Sequence, residues 1–541
     1  MSSTKNGDNN YLLEYLRSAA GNTFILFLGD FLYNLVLAIG SIFIARILGS
    51  EGYGAFSLAL VPPLTLVSLL SLGIDTAATR YIQKFLAEEN KSKAIYVVRS
   101  SLLMRSIINI VGAVACFVFS SQLAQILVNR AELGEYVRVA SAIVFLQGVY
   151  SLVLSIFIGV NMAVGVSIAK ITYSVSKTLV SIVMLMVFNM GVLGALIGNI
   201  IGYVIALVIA LIFLAVLLRR FHKYSSNADG MKNVLWELLS YGIPLYASSI
   251  VSIAVSIYQN LLIAYALPLS DIGGYRAISN FNVLITVVAS PISASLLPLF
   301  THVFTKFQDM ENMLKLSNKY TSFVLVPVTM IAMIFSRELI YIFYGSQYLF
   351  AYHYLPLLLA PNLLVGLGSL TIPVLLNAVG DTKANMKASI VSSIALVATS
   401  CLLTMVLKLG LWGYLTSLLI SSAVGMLLVL AYARRYVRNP IDINQSIKIY
   451  LASTMAAAAT IPIFHISVPR FVSAFRIAAG FTLFVLIYVA ASVYFNIIRE
   501  DDVEFIVKAF NRFPIVNIVI NLLAKYALTL INLMGSDKKT R

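Results

Sequence analysis

GVLGALIGNIIG, from Gly191 to Gly202, and GLWGYLTSLLIS, from Gly410 to Ser421, are two versions of one pattern 219 residues apart. Gly194, Gly198 and Gly202 fall opposite Gly413, Ser417 and Ser421, so small residues recur at every fourth position in both copies. That spacing lays a ridge along one helix face, where a neighbouring backbone can come close. Working outward, Asn161 to Gly165 (NMAVG) matches Asn377 to Gly380 (NAVG), Arg219-Arg220 matches Arg434-Arg435, and Gly52-Tyr53 matches Gly274-Tyr275. The four matches keep their order at offsets between 215 and 222, the mark of an internally duplicated architecture.

Composition identifies the solvent of that duplicated unit. Of 541 residues, 60% are hydrophobic and 11% charged, with a mean hydropathy of +0.92, whereas soluble domains carry about 25% charged residues. Apolar runs long enough to cross a hydrocarbon core of about 30 Å centre near residues 33, 65, 109, 149, 178, 205, 254, 290, 328, 365, 397, 422, 456 and 484. All must be helical, because backbone in lipid has to satisfy its own hydrogen bonds. Six spans separate the repeat copies, and an even number gives both halves one orientation, related by an axis along the membrane normal.

The expected fold is therefore all-α and polytopic, with about 14 transmembrane helices in two parallel-repeat six-helix lobes plus two extra helices. Residues 22–222 form the N-terminal lobe, 223–240 a cytoplasmic linker, 241–436 the C-terminal lobe, and 446–498 helices 13 and 14. Residues 1–21 are expected to be a cytoplasmic segment, polar and amphipathic rather than a signal peptide. Residues 499–541 are expected to be a cytoplasmic interfacial tail, with a further span over 514–534 as the alternative.

The net charge of +16 is not a nucleic-acid signal, because Lys and Arg sit in the short connections between apolar runs. Arg80, Lys84, Lys91, Lys93 and Arg99 crowd the connection after the second span, which places it, and with it both termini, in the cytoplasm. Cys116 and Cys401 lie singly in apolar runs, and His222, His302, His353 and His465 are scattered, so neither a disulfide framework nor a metal site organises the chain. No cofactor is implied. Walker, nucleophile-elbow and HExxH motifs are absent, and short external connections leave little room for the carboxylates of a glycan polymerase or ligase. A transporter is expected rather than an enzyme.

Charge inside hydrocarbon costs about 2.5–3.5 kcal/mol per residue on insertion scales, so each such residue is a functional candidate. Asp30, Arg105 and Lys177 lie within the first, third and fifth spans, while the apolar cores of spans seven to twelve carry no Asp, Glu, Lys or Arg. Lys177 reads as a cavity cation for an anionic headgroup or as half of a structural pair. Asp30 reads as a coupling-cation or proton site, as a partner of Lys177 or Arg105, or as a satisfied packing residue. Arg105 and Arg80 either face the cavity or snorkel to the headgroups. Tyr33 and Asn34 in the first span, and Tyr258, Gln259 and Asn260 in the seventh, add polar lining. Prolines 62, 63, 244, 291, 298, 327 and 373 interrupt spans and suit helices that bend.

ARILGSEGYGAFSLALVPPLTLVSLLSLGIDTAATRYIQKF, Ala45 to Phe85, resembles the signature of the first two spans in polysaccharide flippases of the multidrug/oligosaccharidyl-lipid/polysaccharide superfamily. NAVGDTKANMK, Asn377 to Lys387, is similar to that family's connection after the tenth span, and the resemblance covers about the first 435 residues. It implies two lobes around a central cavity, with cations meeting the phosphate or pyrophosphate of a polyprenyl-linked oligosaccharide as the lobes rock. Arg46 and Arg80 match positions where relatives carry a cation. Asp30 resembles the acidic residue of related cation-coupled exporters in the span it occupies, though not in the sequence around it. The eighth span departs, carrying Arg276 but no deeper arginine, which shifts the expected substrate contacts to the N-terminal lobe. The expected function is a lipid-linked oligosaccharide flippase of the cell membrane for surface polysaccharide or glycoprotein glycan assembly, working as a monomer among membrane lipids with possible Na⁺ or H⁺ coupling. A cation-coupled multidrug exporter on the same fold is the alternative.

Overall fold

In the computed structural model, residues 4–221, 231–305, 309–465, 473–510 and 514–536 are described. His222 and part of the expected linker and tail lie outside them. Among the described residues every regular element is helical, and the chain forms two compact units, Met1–Asn280 and Phe281–Arg541. The division falls at 280/281, after the first turns of the expected eighth span.

The first unit comprises α1 (Thr4–Ala59), α2 (Val61–Leu69), α3 (Ile74–Ala87), α4 (Lys91–Val118), α5 (Ser120–Val128), α6 (Gly134–Ala140), α7 (Ala142–Gly159), α8 (Ala163–Met186), α9 (Gly191–Phe221), α10 (Met231–Ala266) and α11 (Leu269–Ser279). Here α8 packs between α1 and α9, α7 packs on α3 and α4, and α11 lies along α1. The second unit comprises α12 (Asn282–Thr305), α13 (Met310–Ile334), α14 (Ser336–Tyr344), α15 (Tyr354–Leu363), α16 (Thr371–Ala378), α17 (Thr382–Ser400), α18 (Gly410–Ala433), α19 (Ile443–His465), α20 (Ser473–Tyr494), α21 (Glu500–Phe510) and α22 (Pro514–Ser536). In it α17 pairs with α18, α12 with α16, and α19 with both α13 and α20.

Twelve helical stretches among the described residues are long and apolar enough to cross a membrane, or 13 if α13 and α14, bent by 71°, make one span. One of the twelve is Phe24–Leu69, 46 residues long, about twice the roughly 20 that a bilayer needs. It is broken at Gly49, whose φ of 70° and ψ of 174° lie outside helical values and suit a residue without Cβ. The expected fourteen is reached only if this stretch passes twice.

The duplication has one register, 219. Helices α8 and α17 start at Ala163 and Thr382, and α9 and α18 at Gly191 and Gly410, each pair 219 apart. Asn161 and Gly380, Asn189 and Lys408, and Gly191 and Gly410 all take positive φ. Gly194 approaches the Met184 carbonyl and Met190 Cβ, and Gly413 approaches the Leu403 carbonyl and Leu409 Cβ, again 219 apart. A Cβ on Gly54 would lie 2.1 Å from the Leu269 oxygen, and one on Gly273 would lie 1.8 Å from the Ser50 oxygen. That contact is reciprocal, and it equates Gly54 with Gly273. The structural equivalence thus runs a few residues off the Gly52-Tyr53, Asn161–Gly165 and Arg219-Arg220 sequence matches.

In the second unit the appended helices are fastened by polar contacts to α13 and to the turn that follows α15. Tyr488 donates to the Phe323 carbonyl at 2.9 Å, and Ser446 donates to the Gly366 carbonyl at 2.7 Å. Asp502, in the first turn of α21, accepts from Lys319 Nζ at 2.7 Å, Tyr320 Oη at 2.6 Å and the Arg499 N–H at 3.0 Å. Burial alone would raise its pKa, but these three donors outweigh burial and hold the carboxyl below its usual range. Stability from a lowered carboxyl is full above the unfolded pKa of about 3.9 and is lost as pH falls through the folded value. The wild-type tail should therefore loosen only in acid. Asp502→Asn should loosen it at neutral pH, with amide-exchange protection over Glu500–Phe510 falling at least about tenfold, since hydrogen bonds to a charged group contribute about 1.5–3 kcal/mol. Hydrogen exchange read by mass spectrometry checks this.

Candidate functional site

The site is set by helix α8, held at backbone distance on two sides. Toward α1, a Cβ on Gly29 would lie 2.2 Å from Ser167 Oγ and one on Gly40 would lie 2.2 Å from Thr178 Oγ1. Toward α9, Gly198 meets Ser181, and Gly202 meets the backbone of Lys177, its virtual Cβ 2.9 Å from that Cα. The glycine ridge in the sequence is thus the α8–α9 contact, as small-residue ridges in membrane helices predict.

That packing positions the charges. Asp30 Oδ1 accepts from Lys170 Nζ at 2.7 Å, so the partner of Asp30 is neither Lys177 nor Arg105. The pair is only partly covered, Lys170 being 27% and Asp30 49% exposed. Lys177 lies seven residues along α8 from Lys170, about 20° short of two full turns and about 10 Å up the axis, so both project from one face. Lys177 is half-buried, its ammonium is 5.7 Å from the Tyr173 ring centroid, and no carboxylate among the described residues is within ion-pair distance of it. Lys170 lies 6.0 Å from the Tyr33 ring centroid, and Asn34 donates to the Asp30 carbonyl at 2.8 Å.

Around these groups stand four tyrosines. Tyr33 and Tyr150 lie 6.3 and 6.1 Å from Tyr173, and Tyr173 and Tyr203 are 4.1 Å apart, centroid to centroid. Tyr173 donates to Asn199 Oδ1 at 2.8 Å. Sequence reasoning found Asp30, Tyr33, Asn34 and Lys177 but missed Lys170, Tyr150, Tyr173, Tyr203 and Asn199. The available signal was the seven-residue spacing of Lys170 and Lys177.

Arg105 has a different place. It is 1% exposed. Its guanidinium donates to the carbonyls of Leu70, Gly148 (3.4 Å) and Val67 (3.5 Å) and stands 3.7 Å from Asp75 Oδ1. Val67 and Leu70 close α2, where carbonyls have no helical partner and the dipole is negative, and Asp75 opens α3, where an acidic group is favoured. Arg105 therefore spans the α2–α3 break and has no face left for a substrate. Arg80 is exposed and stacks 3.9 Å from the Tyr241 ring centroid, and Arg46 is exposed near the end of the first part of α1. Asn260 accepts from Arg276 and donates to the Ser256 carbonyl at 2.8 Å, and Gln259 is half-buried beside it. Nothing draws Arg46, Arg80, Gln259 or Asn260 into the tyrosine–lysine cluster. No group of three or more His, Cys, Asp or Glu among the described residues is placed to hold a metal ion.

The family profile described as polysaccharide biosynthesis protein matches residues 19–304, more than half of the chain. The chain belongs to that family. Among proteins of curated function none matches its sequence significantly. Its fold resembles the lipid II flippase MurJ in an inward closed conformation, at 15% identity and a TM-score of 0.70 over 87% of this chain and 99% of that one. It also resembles an inward-facing multidrug resistance MATE family transporter of the MOP superfamily, at 17% identity and a TM-score of 0.64 over 75% and 94%. A MOP superfamily transporter from Pyrococcus furiosus matches at 16% identity and a TM-score of 0.55 over 77% and 95%. This family member is thus a multi-pass membrane protein with the fold of MOP superfamily transporters.

Arg105 and Lys177 make opposite predictions. Arg105→Met strands Asp75 and several carbonyls and should cost about 3 kcal/mol or more, a penalty typical of breaking a buried pair. Lys177→Met removes a half-buried charge with no acidic partner and should leave stability unchanged or raised. Thermal midpoints of the purified variants in one detergent test the contrast.

Proposed function

We propose that this protein carries a polyprenyl-(pyro)phosphate-linked oligosaccharide across the cytoplasmic membrane by alternating access, for surface polysaccharide or glycoprotein glycan assembly. The observation that carries the proposal is Lys177, a half-buried ammonium in a membrane helix with no carboxylate beside it, two turns from a second lysine whose charge is shared with Asp30. With Lys170 and Lys177 against Asp30 alone, the cluster has one positive charge in excess. A phosphate is the anion that such a face receives, and tyrosine hydroxyls are suitable donors to it. The family match supports a role in polysaccharide biosynthesis, and the likeness to transporters supports movement rather than catalysis.

In this proposal the Phe24–Leu69 stretch crosses twice about Gly49, which makes fourteen spans and puts both termini in the cytoplasm. The protein acts as a monomer. A coupling Na⁺ or H⁺ at Asp30 has first to displace Lys170. One feature favours drug export on the same fold, namely the four tyrosines gathered near a single carboxylate, Asp30.

Reconstitution into liposomes with a fluorescent short-chain polyprenyl-pyrophosphate glycan discriminates the two. Wild type should move the glycan lipid between leaflets, and Lys177→Ala should slow this at least about tenfold, the loss of roughly one charge-assisted contact of about 1.4 kcal/mol or more. Asp30→Asn frees Lys170 and should retain movement while abolishing any dependence on a proton or Na⁺ gradient. Gradient-driven dye export without glycan movement would replace the flippase with the drug exporter.

A further inference from the structure

The second unit contains a cavity of about 620 Å³ bounded by α12, α13, α15, α16, α17 and α18. None of its lining residues is charged or aromatic. In the 219-residue register, Lys170, Tyr173 and Tyr203 of the first repeat correspond to Ser389, Ser392 and Ser422, and Tyr150 falls opposite Ser369. All four serines line the cavity. Ser389 is exposed and the other three are half-buried, so the hydroxyls can be reached from outside the bundle. Where the first repeat gathers rings and a lysine, the second leaves space edged with small polar groups.

We infer that this cavity is a binding site for neutral sugar residues of the carried glycan, an inference whose choice of ligand rests on the flippase reading. The free polar groups are uncharged, and the amide oxygens among them only accept. Asn385 spends both amide hydrogens, on the Pro373 carbonyl and on Asn377 Oδ1, each at 2.8 Å, which leaves its own Oδ1 buried and without a partner. Asn362 donates to Asn282 Oδ1 at 3.2 Å, and Ser392 donates to the Ser389 carbonyl at 2.9 Å. The hydroxyls of Ser369, Ser389 and Ser422 make no hydrogen bond among the described residues. Oxygens that only accept, beside hydroxyls that do both, call for a ligand rich in neutral donors. An anion would find no cation in this lining, and a cation no carboxylate. A hydrocarbon chain would leave the free groups unmatched. Sugar hydroxyls match them, and the C–H face of a sugar ring can rest on Leu370, Pro373 and Met426. At about 30 Å³ for each water-sized group, the volume takes ~20 such groups, on the scale of a disaccharide. A phosphate-linked glycan has a charged end and a neutral end. The first repeat offers cations and the second offers uncharged hydroxyls, so each repeat supplies one of the two kinds of recognition that such a molecule needs.

The test incubates the full-length protein in nanodiscs with two probes and reads bound ligand by native mass spectrometry. One probe is the pool of neutral oligosaccharides that mild acid releases from the lipid extract of the cells that make the protein; the other is farnesyl pyrophosphate, which has the charge and no sugar. Wild type should retain an oligosaccharide. Ser389→Ala/Ser422→Ala removes two hydroxyls and adds no bulk. It should weaken oligosaccharide binding at least about tenfold, ~1.4 kcal/mol, and leave farnesyl pyrophosphate binding unchanged. Lys177→Ala should do the reverse. Ser422→Tyr, which restores the ring of the first repeat, should exclude the sugar by bulk and serves where the alanine pair does not fold. A wild type that retains no oligosaccharide, its cavity holding water only, overturns the inference, as does undiminished oligosaccharide binding in either variant when that variant melts like wild type. Failure of the flippase reading has a different signature: the oligosaccharide binds through the serines, yet the glycan lipid stays in its leaflet.

Discussion

Backbone-distance packing of α8 is the constraint on which the candidate site depends. In lipid the hydrophobic effect does not press one apolar helix on another, and close van der Waals contact has to do so. Gly29 and Gly40 on one side, with Gly198 and Gly202 on the other, let α8 sit so near both neighbours that its rotation is fixed. Once that rotation is fixed, Lys170 meets Asp30 and Tyr173 meets Tyr203. The lysines are placed by glycines that carry no charge. In the second repeat Gly413 keeps, against the Leu403 carbonyl, the contact that Gly194 makes with the Met184 carbonyl.

The two repeats have therefore kept a scaffold and parted in chemistry. The first holds an acid, two lysines and four tyrosines around α8, and the second holds hydroxyls around a void. The first pairs Asp30 with Lys170 and gathers its rings, while the second returns the amide of Asn385 and the hydroxyl of Ser392 to backbone carbonyls. Arg105 also bonds backbone carbonyls, at the α2–α3 break, where it serves as a cap for a helix end.

Much of this was legible in the sequence. Hydropathy alone marked the helices, and small residues at every fourth position marked the α8–α9 and α17–α18 contacts. Lys177 and Asp30 stood out because charge is rare in such spans. The pairing did not stand out, since it depends on which faces of α1 and α8 meet, and two lysines on one face offered Asp30 equal claims. Arg105 was misjudged because a cation in a span looks the same whether it serves a substrate or a broken helix. The break itself, between Leu70 and Gly73, was visible only as a glycine among leucines and serines. The exchange of tyrosines for serines was invisible without a register, and short motif matches alone ran up to about four residues off it.

The contact of Gly54 with Leu269 and of Gly273 with Ser50 has the form of an isologous interface, in which one patch serves both partners. In a pair of identical half-chains a single codon would determine both sides of such a contact. Joined in one gene, the two positions are free to drift apart, and each alone can close the gap that both keep open. Both are still glycine. Within the first unit the α1–α11 contact thus rejects a side chain at either position, since a Cβ on Gly54 or on Gly273 would meet a backbone oxygen.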